Sequence, residues 1–202
     1  MEKFFEQERP KIIDTLEIAS GNISLIHEMD RVATLEGKEI NWGDAVVISD
    51  ISQRDLVDEK TALSREAVRE GKTPSKEMYV AFDNISMPFS DNSVKRIICR
   101  NFFSSFSDMS TNDGSQIDTE KVKKYRDEIY RVLVPGGYLF IHDTLSPKVS
   151  DQIFDEKLFN DRFDEVSVDA TNDLNISVDF VSKIENKFGE KGDRGMRIFR
   201  KR

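Results

Sequence analysis

Apolar positions along the chain alternate between two spacings, and the alternation predicts strands separated by helices. Lys11–Ala19 holds Ile12, Ile13, Leu16 and Ile18 in a short apolar run that ends in small residues. Ile23–Leu35 follows with Ile23, Ile26, Met29 and Ala33 at helical spacing. Ala45–Ile51 (AVVISDI) is a β-branched run suited to burial on both faces, and Asp55–Gly71 is helical, with Leu56, Leu63 and Ala67 inward and Gly71 as its stop. Met78–Phe82 and Val94–Cys99 read as further strands. Asp118–Val134 is a helix whose Val122, Tyr125, Ile129, Val132 and Leu133 share a face, with Pro135-Gly136-Gly137 ending it. Tyr138–His142 (YLFIH) is the fifth strand.

Strands alternating with helices predict an α/β domain with a parallel sheet and right-handed crossovers. The last fifty residues are different. Val166–Val168, Ser177–Lys183 and Met196–Arg200 read as strands, the last two as an antiparallel hairpin around Gly189–Gly195. Ser104–Gln116 (SSFSDMSTNDGSQ) is a long polar loop, a length that in compact domains accompanies function or disorder. No internal repeat interrupts this order, and 202 residues suit one domain spanning 1–202.

Charge and cysteine content narrow the function classes. The net charge of −8 disfavours nucleic acid as a partner, because phosphate backbones are bound mainly through Lys and Arg. The basic residues between Lys183 and Arg202 read as a solvated edge rather than a binding patch. Cys99 is the only cysteine, which together with the lack of a long apolar run points to a reducing, cytoplasmic setting without a membrane span. Nothing in the sequence sets the oligomeric state. There is no Cys/His cluster for zinc, no phosphate-binding loop of the G-x-x-x-x-G-K type and no G-x-S-x-G elbow, so no metal is expected.

Open α/β sheets bind ligands beyond the carboxyl ends of their strands, where the strand order reverses. The residues there are Glu17–Asn22, Asp50–Ser52, Phe82–Asn84, Arg100–Phe103 and His142-Asp143. Two phrases in this region are specific. Asp83–Ser93 (DNISMPFSDNS) precedes a strand, and Glu128–Ile141 (EIYRVLVPGGYLFI) follows about 35 residues later. In this order they resemble the class I methyltransferase family, whose members carry "LPF-x-D-x-SFD" and then "REIxRVLKPGGxL". The resemblance runs from about Lys11 to Arg202 and is densest between Tyr79 and Ile141.

It implies a Rossmann-like, mostly parallel seven-stranded sheet with helices on both faces, an antiparallel C-terminal hairpin, and S-adenosylmethionine as cofactor. Asp50, with Ile51 beside it, matches the position that takes the ribose diol; the residues alone equally suit a helix cap. Asp83 and the backbone of Asn84 match the adenine position, and alone they suit a turn. Glu17, Ala19 and Gly21 match the E/D-x-G-x-G-x-G loop, with Ala19 and Ile23 standing where the family has glycines. Glu17 also suits a buried, hydrogen-bonded strand end. Glu17 and Asp50 lie further apart than the family usually places them, with Gly37–Trp42 as the expected insertion.

Arg100 and Asn101 match positions facing the sulfonium and substrate, while Phe102 and Phe103 also suit the core. His142, next to Asp143 at a strand end, is a candidate general base or a structural histidine, and His27 is expected at the surface. Asn101 and His142 are thus the catalytic candidates. The implied activity is methyl transfer to the oxygen, nitrogen or carbon of a small-molecule acceptor. The worn glycine loop motivates the alternative, a non-catalytic protein of this fold binding a nucleoside-type ligand or a protein partner. An RNA methyltransferase ranks third.

Overall fold

The computed structural model describes residues 12–19, 24–69, 77–100, 118–143, 153–154, 159, 161–167 and 195–202. Among these, seven strands form one sheet: β1 (Ile13–Ile18), β2 (Val46–Asp50), β3 (Met78–Ala81), β4 (Val94–Arg100), β5 (Leu133–Asp143), β6 (Phe163–Val166) and β7 (Gly195–Lys201). Three helices connect them: α1 (Leu25–Leu35), α2 (Gln53–Arg69) and α3 (Thr119–Val132). The strand order is β3-β2-β1-β4-β5-β7-β6. Strands β1 to β5 pair in parallel, and β7 runs antiparallel to both β5 and β6.

The parallel strands are buried on both faces, as their unbroken apolar runs require. Along β4, Ile97 and Cys99 enter one apolar cluster and Ile98 the other; along β5, Leu139 and Ile141 part in the same way from Phe140. The first cluster packs under α3 through Val122, Ile129 and Val132, and the second under α1 through Leu25, Ile26 and Met29. Helices therefore cover both faces. Phe159, Phe163 and Phe199 extend the first cluster beneath β6 and β7, with neighbouring ring centroids 5.3 and 5.6 Å apart.

Ser24 and Asp118 start α1 and α3 by accepting hydrogen bonds from the N–H groups of His27 (3.4 Å) and Lys121 (3.0 Å). The expected helix to Val134 stops earlier, at Val132. Leu133 is already extended and pairs with Val94, so Leu133 and Val134 belong to β5. Pro135 explains the early stop, since the residue before a proline avoids helical backbone. The Pro-Gly-Gly run is then a bulge inside the strand: Val94 and Arg96 stand opposite Leu133 and Tyr138. Gly137 has no alternative there, because a Cβ would lie 2.8 Å from the Lys95 carbonyl oxygen.

Antiparallel C-terminal strands are present among the described residues. β7 pairs with β6, which begins at Phe163, three residues before the expected Val166. Ser177–Lys183 lies outside the described residues, as do Ile23, Gly71 and Ser104–Gln116. Among the described residues no helix is long and apolar enough to cross a membrane.

Candidate functional site

The sheet order reverses between β1 and β4, which leave the centre of the sheet in parallel. The carboxyl ends of β1, β2 and β3 therefore lie side by side, and it is at such an edge that open α/β sheets bind ligands. Asp50 ends β2 and is 9% exposed. Its carbonyl accepts the N–H of Phe82 at 3.2 Å, which carries the β2–β3 pairing past the end of β3 and sets Asp83 beside it.

Asp50 and Asp83 shape their own loops through Oδ1, Asp50 by accepting the Ser52 N–H (2.8 Å) and Asp83 by accepting the Ile85 N–H (3.1 Å). The cap of α2 falls to Ser52, whose Oγ accepts the Asp55 N–H at 3.3 Å, and not to Asp50. Asn84 is buried at 8% exposure, yet its Oδ1 accepts nothing and its backbone N–H finds no acceptor among the described residues. Ile51 and Ile85, beside these two carboxylates, are 73% and 42% exposed. Tyr125 of α3 stands near Asp83; burial first, and then that negative charge, pushes its hydroxyl pKa up.

Glu17 is placed differently. It is fully buried and turned onto the first turn of α1: it accepts the Leu25 N–H at 2.6 Å, the Ile26 N–H at 3.2 Å and the Ser24 hydroxyl. Burial pushes its pKa up to about 7 against the pull of these donors. Of the two readings of Glu17, the buried strand-end carboxylate describes its surroundings, and any part it has at a ligand passes through the loop it fastens. Next to it, Ala19 has φ of 57°, a left-handed backbone that favours glycine. Gly21 lies outside the described residues.

Glu59, which no local pattern singles out, reaches the same helix end from α2. Its Oε1 accepts the Ser24 N–H at 2.7 Å across 35 residues of sequence.

Arg100 ends β4 opposite His142 of β5. His142 is 1% exposed and also pairs with Met196 of β7, so it sits inside the sheet. His27 is half-buried rather than at the surface, its Nε2 3.1 Å from the Tyr79 hydroxyl, which packs it against β3. Asn101, Phe102 and Phe103 lie outside the described residues.

The expected insertion after α1 buries Trp42, whose Nε1 donates to Asp30 at 2.7 Å. Gly37–Asp44 with Val46 and Glu77 line a cavity of about 910 Å³. Val46 begins β2 and Glu77 precedes β3, so this cavity opens at the amino ends of the strands, away from Asp50 and Asp83. Chemistry and topology outweigh its size, and the carboxyl edge remains the candidate site. The basic end of the chain pairs internally: Arg197 meets Glu165 and Arg202 meets Asp164.

Comparisons with known proteins agree with this architecture. A family model described as a methyltransferase domain matches residues 31–141. An S-adenosylmethionine-dependent methyltransferase from Methanosarcina mazei superposes with a TM-score of 0.50 at 15% identity, covering 95% of this chain and 92% of that one. The YcgJ protein of Bacillus subtilis gives 0.51 at 14% identity, with 96% and 94% covered. The [4+2]-cyclase SpnF gives 0.50 at 15% identity, with 93% and 74% covered. No curated protein matches the chain in sequence. With its strand order, its reversed last strand and a family model that spans more than half of it, the chain belongs to the class I methyltransferase family.

Proposed function

We propose that the chain transfers a methyl group from S-adenosylmethionine to the oxygen, nitrogen or carbon of a small-molecule acceptor. The observation that carries this reading is the pairing of Asp50 and Asp83 on adjacent strand ends, with the unspent N–H and Oδ1 of Asn84 directly after Asp83. These groups fit an adenosyl unit. Asp50 accepts from the two ribose hydroxyls, Asp83 accepts from the adenine amino group, and the Asn84 N–H donates to a ring nitrogen. Ile51 and Ile85 supply exposed apolar surface for the base. Ala19 brings the backbone close to the amino-acid tail, Gly21 matches the family's glycine loop in sequence, and Arg100 lies on the sulfonium side.

When bound, the cofactor supplies an electrophilic methyl group. The chain aligns the acceptor, excludes water and, where the acceptor carries a proton, leaves it a route out. Such a reaction needs no fixed catalytic side chain, and with His142 enclosed in the sheet we assign none. A small acceptor is favoured by the chain's net charge of −8, and a cytoplasmic location by a single cysteine, Cys99, which is buried.

A second reading has its own observation. Ala19 adopts a glycine conformation without being glycine, which weakens the loop. A fold shared with a protein named as a cyclase carries more than one activity. On this reading the chain binds a nucleoside-type ligand or a protein without methyl transfer.

Titration calorimetry with S-adenosylmethionine and S-adenosylhomocysteine tests the first reading. Saturable binding that weakens at least about tenfold in Asp50→Ala supports it. No binding at about millimolar ligand overturns it.

A further inference from the structure

Two carboxylates from different elements meet one helix end. Glu17 of β1 takes the Ser24 hydroxyl and the Leu25 and Ile26 N–H groups, and Glu59 of α2 takes the Ser24 N–H at 2.7 Å. Both side chains are buried, Glu17 at 0% and Glu59 at 7% exposure. Glu59 Oε2 has no hydrogen-bond partner among the described residues. Among the described residues the charged groups that act on the pair are acidic: Asp50 at the end of β2 and Glu77 before β3 act on Glu59, and Glu59 acts on Glu17. Beyond Glu77 stand His27 and Asp30 of α1. Among the described residues no lysine or arginine forms an ion pair with either carboxylate.

One helix terminus carries about half a positive charge, which balances less than one of these two anions. Two like charges buried together do not both ionise readily; one holds a proton. The bonds to Ser24 place the pair at the start of α1, directly after the loop that follows β1. A cation bound beyond the carboxyl end of β1 supplies the missing positive charge.

We propose that the Glu17–Glu59 pair holds one proton in the empty protein and releases it when a sulfonium ligand binds. The proposal rests on the cofactor reading above. Before binding, the proton lies on a carboxylate oxygen of the pair, and Glu59 Oε2, which accepts from none of the described residues, is the open place for it. On binding it passes to solvent, and the ligand's charge takes over its role. S-adenosylmethionine and S-adenosylhomocysteine share the adenosyl and amino-acid groups and differ in the charge at sulfur, so only the first drives release. Glu59 is on this account a positioning residue that also sets the proton count of the site.

Calorimetric titrations of the full chain with each ligand, in buffers of different ionisation enthalpy, measure the protons released. The expected result near pH 7 is release of about half a proton with S-adenosylmethionine beyond that with S-adenosylhomocysteine. Its affinity tightens about tenfold from pH 6 to pH 8 relative to that of the thioether. In Glu59→Gln, which keeps an oxygen for the Ser24 N–H, the extra release and the relative pH dependence disappear. Equal proton release for the two ligands in the wild type overturns the proposal and leaves the cofactor reading standing. No binding of either ligand overturns both. The wild-type comparison decides the question even where the variant fails to fold.

Discussion

Arg131 and Glu128, one turn apart on α3, form a short ion pair (2.6 Å) that grips the loop before β4. Arg131 donates to the Met87 and Phe89 carbonyls and to Asp91, while Glu128 accepts the Met87 N–H at 2.7 Å. The two phrases that mark the family in sequence thus touch each other: Met87–Asp91 of the first is held by the Glu-x-x-Arg of the second. Their joint presence is a physical requirement of the loop that leads from Asp83 into β4.

Arg131→Ala removes this clamp, leaves two carbonyls without their donor and leaves Glu128 with only the Met87 N–H. We expect a loss of about 2 kcal/mol and a fall in Tm of roughly 4–8 °C. Bonding to Arg131 lowers the Glu128 pKa, so its contribution is present above the ordinary carboxylate range and fades as pH falls through the lowered value. Urea unfolding of both proteins as a function of pH checks this: acid costs the wild type more stability than it costs the variant.

Ala19→Gly relieves a left-handed alanine. The gain of about 1–2 kcal/mol in the folded state is partly offset by the freer unfolded chain, leaving roughly 0.5–1 kcal/mol. Thermal melts should show a rise of about 1–4 °C. A fall in Tm would mean that the Ala19 methyl, packed against the first core cluster, contributes more than the strain costs.

Burial raises the Glu17 pKa to about 7, and its unfolded value is near 4.5. The folded state therefore holds a proton that the unfolded state has lost. The stability it contributes is complete below the unfolded value and is lost as pH rises towards 7, roughly 3 kcal/mol in all. Asp30, raised by burial to about 6, acts in the same direction. The chain should resist urea better near pH 5 than near pH 8, and Glu17→Gln should flatten most of that slope.

Lys201, 6% exposed, donates from Nζ to the carbonyls of Tyr130 and Leu133 and to Asn92 Oδ1, at 2.7, 2.7 and 2.8 Å. It closes the end of α3 against β7. Lys201→Met keeps the apolar stem and removes the donor, so we expect a loss of about 2–3 kcal/mol by chemical denaturation. An unchanged midpoint would show that the carbonyls find other donors.

Much of the fold was legible because its causes are local. The β-branched runs of β2 and β4 and the helical spacing in α1 and α3 each record burial in the order of neighbouring residues. The site was half legible. Asp50 and Asp83 follow directly from their strands, so position along the chain points to position on the edge. The surroundings of His27 depend on Tyr79, 52 residues away, and its packing left no local trace.

By itself, then, the sequence determined the alternation of strands and helices and the family, and it pointed to the edge proposed for a ligand, since periodicity and contiguous motifs encode these. Only the tertiary structure decided that Glu17 turns inward onto α1, that Glu59 joins it from α2, and that the Pro-Gly-Gly run bulges within β5. Each of these rests on a contact between segments distant in sequence or on the register of neighbouring strands. Hydrophobic spacing reports which side of an element is buried, but not which polar group from elsewhere will share that interior.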